Sequence, residues 1–497
     1  MRAIRGALAA GLIVAAGAAP AGAANTIGAP GAGDPFFPVA GNGGLNVTDY
    51  SLELAYDPAA RRLEGTATLQ ITATQDLTRF DLDLRGFQLG TVTVAGTPAA
   101  AVARDGQELV ITPAQRIRRG TAFTVVVPYT GTPQTVIDPD GSSEGWVYTA
   151  DGAVVVNEPQ GSPGWYPAND TPRDKATYTV SMTVPDGLEA VGNGSLESRA
   201  SSGGRTTFVW REGKAMAPYL TTVTIGRFEI SEGAVGAIPT YVAVDPKLGS
   251  SASSTLRKLP DMVAFLAATY GAYPFETVGA IVDDAPELGY SLETQTKPVF
   301  DRSPDELTLL HELSHMWFGD AVTLSVWPDI WLHEGFATWS EWYWTERQGG
   351  KSAAQRFKQL AGTPAKQTSF WNPPPGDPGD PADLFDGTIY DRGGMTLEAL
   401  RERIGDTSFF RLMRTWYADH KYGNVTTPQF VALAAYGGFS RGHARAFAWA
   451  LALQRAIPAL PPRLLARLLR LVGRRRLSER AYGWYLRQAD PAFAARS

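Results

Sequence analysis

The chain has 497 residues, 44% hydrophobic and 19% charged, which suits folded domains and exceeds one ordinary core, so two or three domains are expected. It has no cysteine, which excludes disulfides, thiolate catalysis and cysteine-bound zinc; a metal site must draw on Asp, Glu and five histidines. Formal net charge is −5, yet twelve arginines against Glu479 and Asp490 make the end from Arg441 basic, leaving an acidic body that argues against nucleic acid as a partner.

In chain order, Arg2 and Arg5, the short apolar run Ala7 to Ala19 and the small residues Ala21-Gly22-Ala23 read as a signal peptide over 1–24. The run is too short to span a bilayer comfortably, so an exported protein without stable membrane insertion is expected. Residues 25–44 form a Gly/Pro-rich leader. From about residue 45 the period is two, in "YSLELAY", "TATLQITATQ", "TAFTVVVPY" and "ATYTVSMTV", which predicts an antiparallel β-rich domain over 45–238. The period then lengthens in "STLRKLPDMVAFLAATYGAYP", "DELTLLHELSHMWFGD", "DIWLHEGFATWSEWYWTER" and "TSFFRLMRTWYADH". These predict a mainly helical second domain over 239–426, interrupted by the Pro-rich loop "WNPPPGDPGDPADLF". A helical C-terminal segment, 427–497, completes a multidomain α+β chain.

The stretch "HELSHMWFGD" places His311 and His315 one helical turn apart, so both imidazoles can reach one point. Zinc takes such ligands and keeps one position for water; Glu312, beside them, can take that water's proton as it attacks a carbonyl. Glu334, with eighteen residues between it and His315, is the expected third ligand, on a second aromatic-rich helix that packs on the first. Glu341, two turns on, is placed to support one of the imidazoles. His333 points about 100° away from Glu334 and is assigned to polar packing, and His420 and His443 to the surface.

Four segments in order carry a resemblance to a known family. "GYSLETQTKP" (289–298) resembles the Gly-x-Met-Glu-Asn segment of the aminopeptidase N family of gluzincin zinc metallopeptidases. "HELSHMWFGD", "WLHEGFATW" and "YDRGGMTLEALR" (390–401) resemble that family's remaining signatures, and the likeness runs from about residue 45 to 430. The resemblance implies a thermolysin-like catalytic domain, one Zn²⁺ per chain, and secreted, compact bacterial relatives. It implies that Glu293 and Gly289 bind a peptide's N-terminus, that Tyr390 donates a hydrogen bond to the oxyanion, and that Gln160 is a second contact to the amine. The expected activity is hydrolysis of the first peptide bond of peptides with a free N-terminus. A gluzincin endopeptidase and an inactive peptide-binding protein are the alternatives. Leu-Glu-Thr at 292–294 and His333 depart from the family's usual residues, and few residues follow the zinc motif. The Arg-rich ending departs from a mixed-charge helical module, and reads either as a basic amphipathic helix or as a shifted reading frame near Tyr436.

Overall fold

The computed structural model describes residues 26–436. The expected signal peptide and the Arg-rich ending with His443 lie outside the described residues. Period-two burial organises the first domain. Leu45–Asp57 buries Tyr50, Leu52, Leu54 and Tyr56 on one face and turns Ser51, Glu53 and Ala55 outward. It pairs antiparallel with Arg62–Ala73 and, unusually for this sheet, parallel with Ala176–Pro185. Strands 195–202, 205–216 and 122–131 extend the sheet on either side. A fully buried leucine or valine contributes about 1.5–3 kcal/mol, so this inner face is a main source of the domain's stability.

A second sheet joins Thr135–Ile137, Ser143–Tyr148, Ala153–Val156, Val223–Gly226 and Glu189–Gly192. It sends two pieces of chain toward the second domain: the turn 138–142 and the segment that follows Val156. The third sheet corrects the expected domain boundary. Glu229–Val235 and Ile238–Val244 form a hairpin that joins a sheet with Val278–Val282, Val299–Phe300 and Ser291–Leu292 of the second domain. The first domain's own sheets therefore end at Gly226, not at 238. Alternation has the same appearance in either sheet, so the pattern alone could not say which one this hairpin joins.

Helices α1 (Leu259–Tyr270), α2 (Glu306–His315), α3 (Trp331–Arg347), α4 (Gly387–Ile404) and α5 (Asp406–His420) build the second domain. Helix α6 (Thr427–Tyr436) also belongs to it. The ring of Phe430 lies 5.9 Å from Trp331, 5.3 Å from Phe336 and 5.1 Å from Trp416, and Trp331 Nε1 donates to Thr427 Oγ1 at 2.8 Å. The expected separate module from 427 thus begins as core of the second domain. No helix among the described residues is long and apolar enough to cross a membrane.

Candidate metal centre and amine pocket

Asp305 starts α2 by accepting the Thr308 N–H at 2.9 Å, which satisfies an N-terminal donor and aligns the helix dipole with an acid. Along α2 the imidazoles of His311 and His315 lie 4.9 Å apart, ring centre to ring centre. Helix α3 returns beside α2 and presents Glu334, whose Oε2 is 3.0 Å from His311 Nε2 and 3.5 Å from His315 Nε2. The three donor atoms lie within 4.8 Å of one another, and all three side chains are largely buried.

The outer ring nitrogens show whether these donors fit a metal. His315 Nδ1–H donates to the Phe318 carbonyl at 3.0 Å, and His311 Nδ1–H to Glu341 Oε1 at 2.6 Å. A carbonyl can only accept, so Nδ1 of His315 carries the proton and its Nε2 lone pair turns inward; Glu341 imposes the same on His311. Two inward lone pairs and one carboxylate oxygen fit a zinc ion with an open position. Burial disfavours charge on both imidazoles and on Glu334. Facing carboxylates outweigh burial at the imidazoles, Glu293 first for His315, which is lifted to about 9, and Glu334 for His311, while His315 holds Glu334 far below the usual carboxylate range; a positive charge, proton or metal, is therefore favoured at the two inward Nε2 atoms.

Four more carboxylates line the cavity of about 420 Å³ in front of this cluster: Asp140 at its rim and, deeper, Glu312, Glu293 and Glu158. Glu312 is pushed up to about 7, by burial first and against the pull of His311 and His315. A carboxyl group near neutrality is suited to exchanging protons with water. Glu293 is 2% exposed and its Oε1 has no hydrogen-bond partner; burial raises its affinity for a proton, opposed by His315. Glu158 repeats the pattern at 7% exposure, with Oε1 unpartnered, raised by burial and then by Glu293. Two buried, unpartnered acid oxygens facing one cavity call for a cationic guest.

The backbone three residues beyond Glu293 is strained. Thr296 is β-branched yet adopts φ +72°, a conformation costing of order 1–3 kcal/mol. Gly194 N donates to Thr296 Oγ1 and Gly279 N to Thr296 O, both at 2.8 Å, so two neighbouring segments enforce it. Lys297, fully buried, donates to the Gly194 carbonyl and sits 4.6 Å from the Trp210 ring centre.

Tyr390 of α4 lines the same cavity, its ring stacked 5.9 Å from His311 at 24°. Burial, then Glu334, raise its pKa, so the phenol keeps its proton and remains a donor. Gly289 lines the cavity at φ +84° and donates to Asp301 Oδ2 at 3.2 Å. Gln160 does not line it. Its Nε2 donates to Asp138 Oδ1 at 2.9 Å and its Oε1 accepts from Arg85 at 3.3 Å. Glu158, two residues earlier, takes the place expected of Gln160, and sequence reasoning missed it. His333 accepts the Leu324 N–H on Nε2 at 2.8 Å, which puts its own proton on Nδ1; burial holds the ring neutral, near pKa 3. One ring nitrogen of His333 shares a grouping of donor atoms with Glu158 and Glu293, all within 4.8 Å. His420 packs edge-on against Trp416 at 4.4 Å.

Residues 46–220 match the family model described as the Peptidase M1 N-terminal domain, and residues 258–437 that of the Peptidase family M1 domain. Aminopeptidase M1-D of Oryza sativa subsp. japonica is 27% identical over 300 residues, 54% of this chain and 33% of its own length. Probable aminopeptidase 2 of Sulfurisphaera tokodaii is 24% identical over 304 residues, 53% of this chain and 36% of its own. The chain spans roughly a third of the length of the curated relatives it matches. Among solved structures, the M1 zinc metallopeptidase from Deinococcus radiodurans superposes with a TM-score of 0.77 at 28% identity, covering 87% of this chain and 99% of that one. A mutant of that enzyme bound to a Tyr-Ser-Ala substrate gives 0.78 over the same shares.

Proposed function

This chain belongs to peptidase family M1, and we propose that it is a zinc-dependent aminopeptidase, removing the first residue from peptides with a free N-terminus. The observation that carries the reading is the placement of Glu293: buried, with an unpartnered oxygen, in a grouping of donor atoms with Glu312 and His315 all within 4.8 Å. An endopeptidase needs no buried acid there, because an internal peptide bond brings no ammonium.

His311, His315 and Glu334 would hold one zinc ion; among the described residues the other two groupings with metal-ligand chemistry both contain Glu293 and are assigned to the substrate's amine. Bound there, zinc supplies Lewis acidity toward the scissile carbonyl and toward water. Glu293 and Glu158 pair with the α-ammonium, a charge-assisted contact in a shielded pocket that fixes which bond reaches the cluster. Glu312 takes the proton of the attacking water and returns it to the leaving amine. The Tyr390 phenol donates to the oxyanion, where charge develops only in the transition state. Export is proposed from the basic, apolar and small-residue order of the first 24 residues.

The test uses two fluorogenic peptides identical except for N-acetylation, each with and without a zinc chelator. Chelator-sensitive cleavage of the free peptide alone is expected. Equal cleavage of both would make the protein an endopeptidase, and cleavage of neither by folded, zinc-loaded protein would make it a binding protein.

A further inference from the structure

The cavity's charge is lopsided. Asp140, Glu158, Glu293, Glu312 and Glu334 line it, and among the described residues no lysine or arginine does. A divalent ion and the substrate's α-ammonium would engage Glu334, Glu293 and Glu158, and no side chain of the described wall brings a cation to Asp140.

Asp140 is the acid that the chemistry above leaves without a task. It sits on the exposed turn between Thr135–Ile137 and Ser143–Tyr148, at the rim of the cavity. The turn is fixed at three points. Tyr290 OH donates to the Ser143 carbonyl at 2.9 Å, and Gln160 Nε2 donates to Asp138 at 2.9 Å. Within the turn, Ser142 N and Oγ donate to Asp140 Oδ1 at 2.8 and 2.7 Å, so both contacts fall on one carboxylate oxygen. A carboxylate pinned in this way is preorganised, and little side-chain entropy remains to be lost on pairing.

The direction of a bound peptide follows from the same residues. With its amine against Glu293 and Glu158 and its carbonyl toward the His311 cluster, the first residue must send its side chain along the remaining wall. That wall includes Leu288, Tyr290 and Asp140. Leu288 and the Tyr290 ring suit an alkyl stem, Tyr290 also suits a cation over its face, and Asp140 suits the charged head. We propose that the cleft selects peptides whose first residue is arginine or lysine, with Asp140 receiving the side-chain cation. This rests on the aminopeptidase reading and deepens it.

The experiment compares aminoacyl-coumarin amides of arginine and of citrulline, which has nearly the same shape and no charge, using the zinc-loaded full chain. The expected ratio of kcat/KM, arginine over citrulline, is about tenfold or more. Asp140→Asn is expected to bring the ratio near one. Asp140→Arg is expected to reverse the sign, favouring a glutamyl over a glutaminyl amide, a gain that misfolding cannot mimic. Equal turnover of arginine and citrulline amides by the wild type, or an unchanged ratio in Asp140→Asn, would overturn this inference and leave the aminopeptidase reading standing. Cleavage of neither amide would overturn both.

Discussion

Gly335 and Gly393 meet backbone to backbone: a β-carbon built on Gly393 would lie 2.6 Å from the Cα of Gly335, and the reverse 2.7 Å. This contact lets α3 and α4 cross at close range, one residue from Glu334 and three from Tyr390. It thereby sets the proposed oxyanion donor against the metal cluster. Gly393→Ala must push the helices apart, at an overpacking cost of about 1–3 kcal/mol. The expected result is a lower thermal midpoint together with a fall in kcat of up to about 100-fold from displaced Tyr390, and little change in KM. Full kcat in a protein of lowered midpoint would detach the crossing from catalysis.

Glu341 fixes the tautomer of His311 from outside the proposed metal site. Glu341→Ala leaves all three ligands in place but frees that ring. Zinc affinity, measured by competition with a chromogenic chelator, is expected to fall about 10–100-fold. An unchanged affinity would mean that α2 alone orients His311.

Glu158 and Gln160 give opposite expectations despite lying two residues apart. Glu158→Ala removes a carboxylate from the amine pocket and should raise KM for a free-amine peptide by about 1.5–3 kcal/mol, in steady-state kinetics. Gln160→Ala cuts the tie to Asp138 and should act more weakly, through the turn that carries Asp140. Equal effects would return Gln160 to the pocket.

Asp174 supplies a pH test of folding remote from the site. Its oxygens accept the Val47 N–H at 3.0 Å, yet burial dominates and lifts it to about 7. The folded state then holds the proton more tightly than the unfolded one, whose value is about 3.9. The stabilisation is complete below pH about 4 and is lost as pH rises through about 7. Over that window the difference in unfolding free energy between wild type and Asp174→Asn should fall by about 1.4 kcal/mol per pH unit in urea titrations. A pH-independent difference would mean that Asp174 is ionised when folded.

The convergence of His311, His315 and Glu334 was legible because i and i+4 on one helix and an acid on the next are local facts. Alternation likewise disclosed the first domain's strands. Three features were not legible. The hairpin 229–244 alternates identically whichever sheet it joins. Glu158 and Gln160 differ only in which way the chain turns after Val156. The meeting of Gly335 with Gly393 joins helices separated by the Pro-rich loop, and a small residue inside a helix carries no sign of what approaches it.

The central claim is that a buried Glu293 converts a metal hydrolase into an enzyme that reads a free N-terminus. The most direct measurement is kcat/KM of wild type and Glu293→Ala on the free and the N-acetylated forms of one peptide. The account predicts a loss of about 2–4 kcal/mol on the free peptide and none on the acetylated one, since only the former presents a cation to the missing carboxylate. Equal losses on both, or none on either, would contradict it.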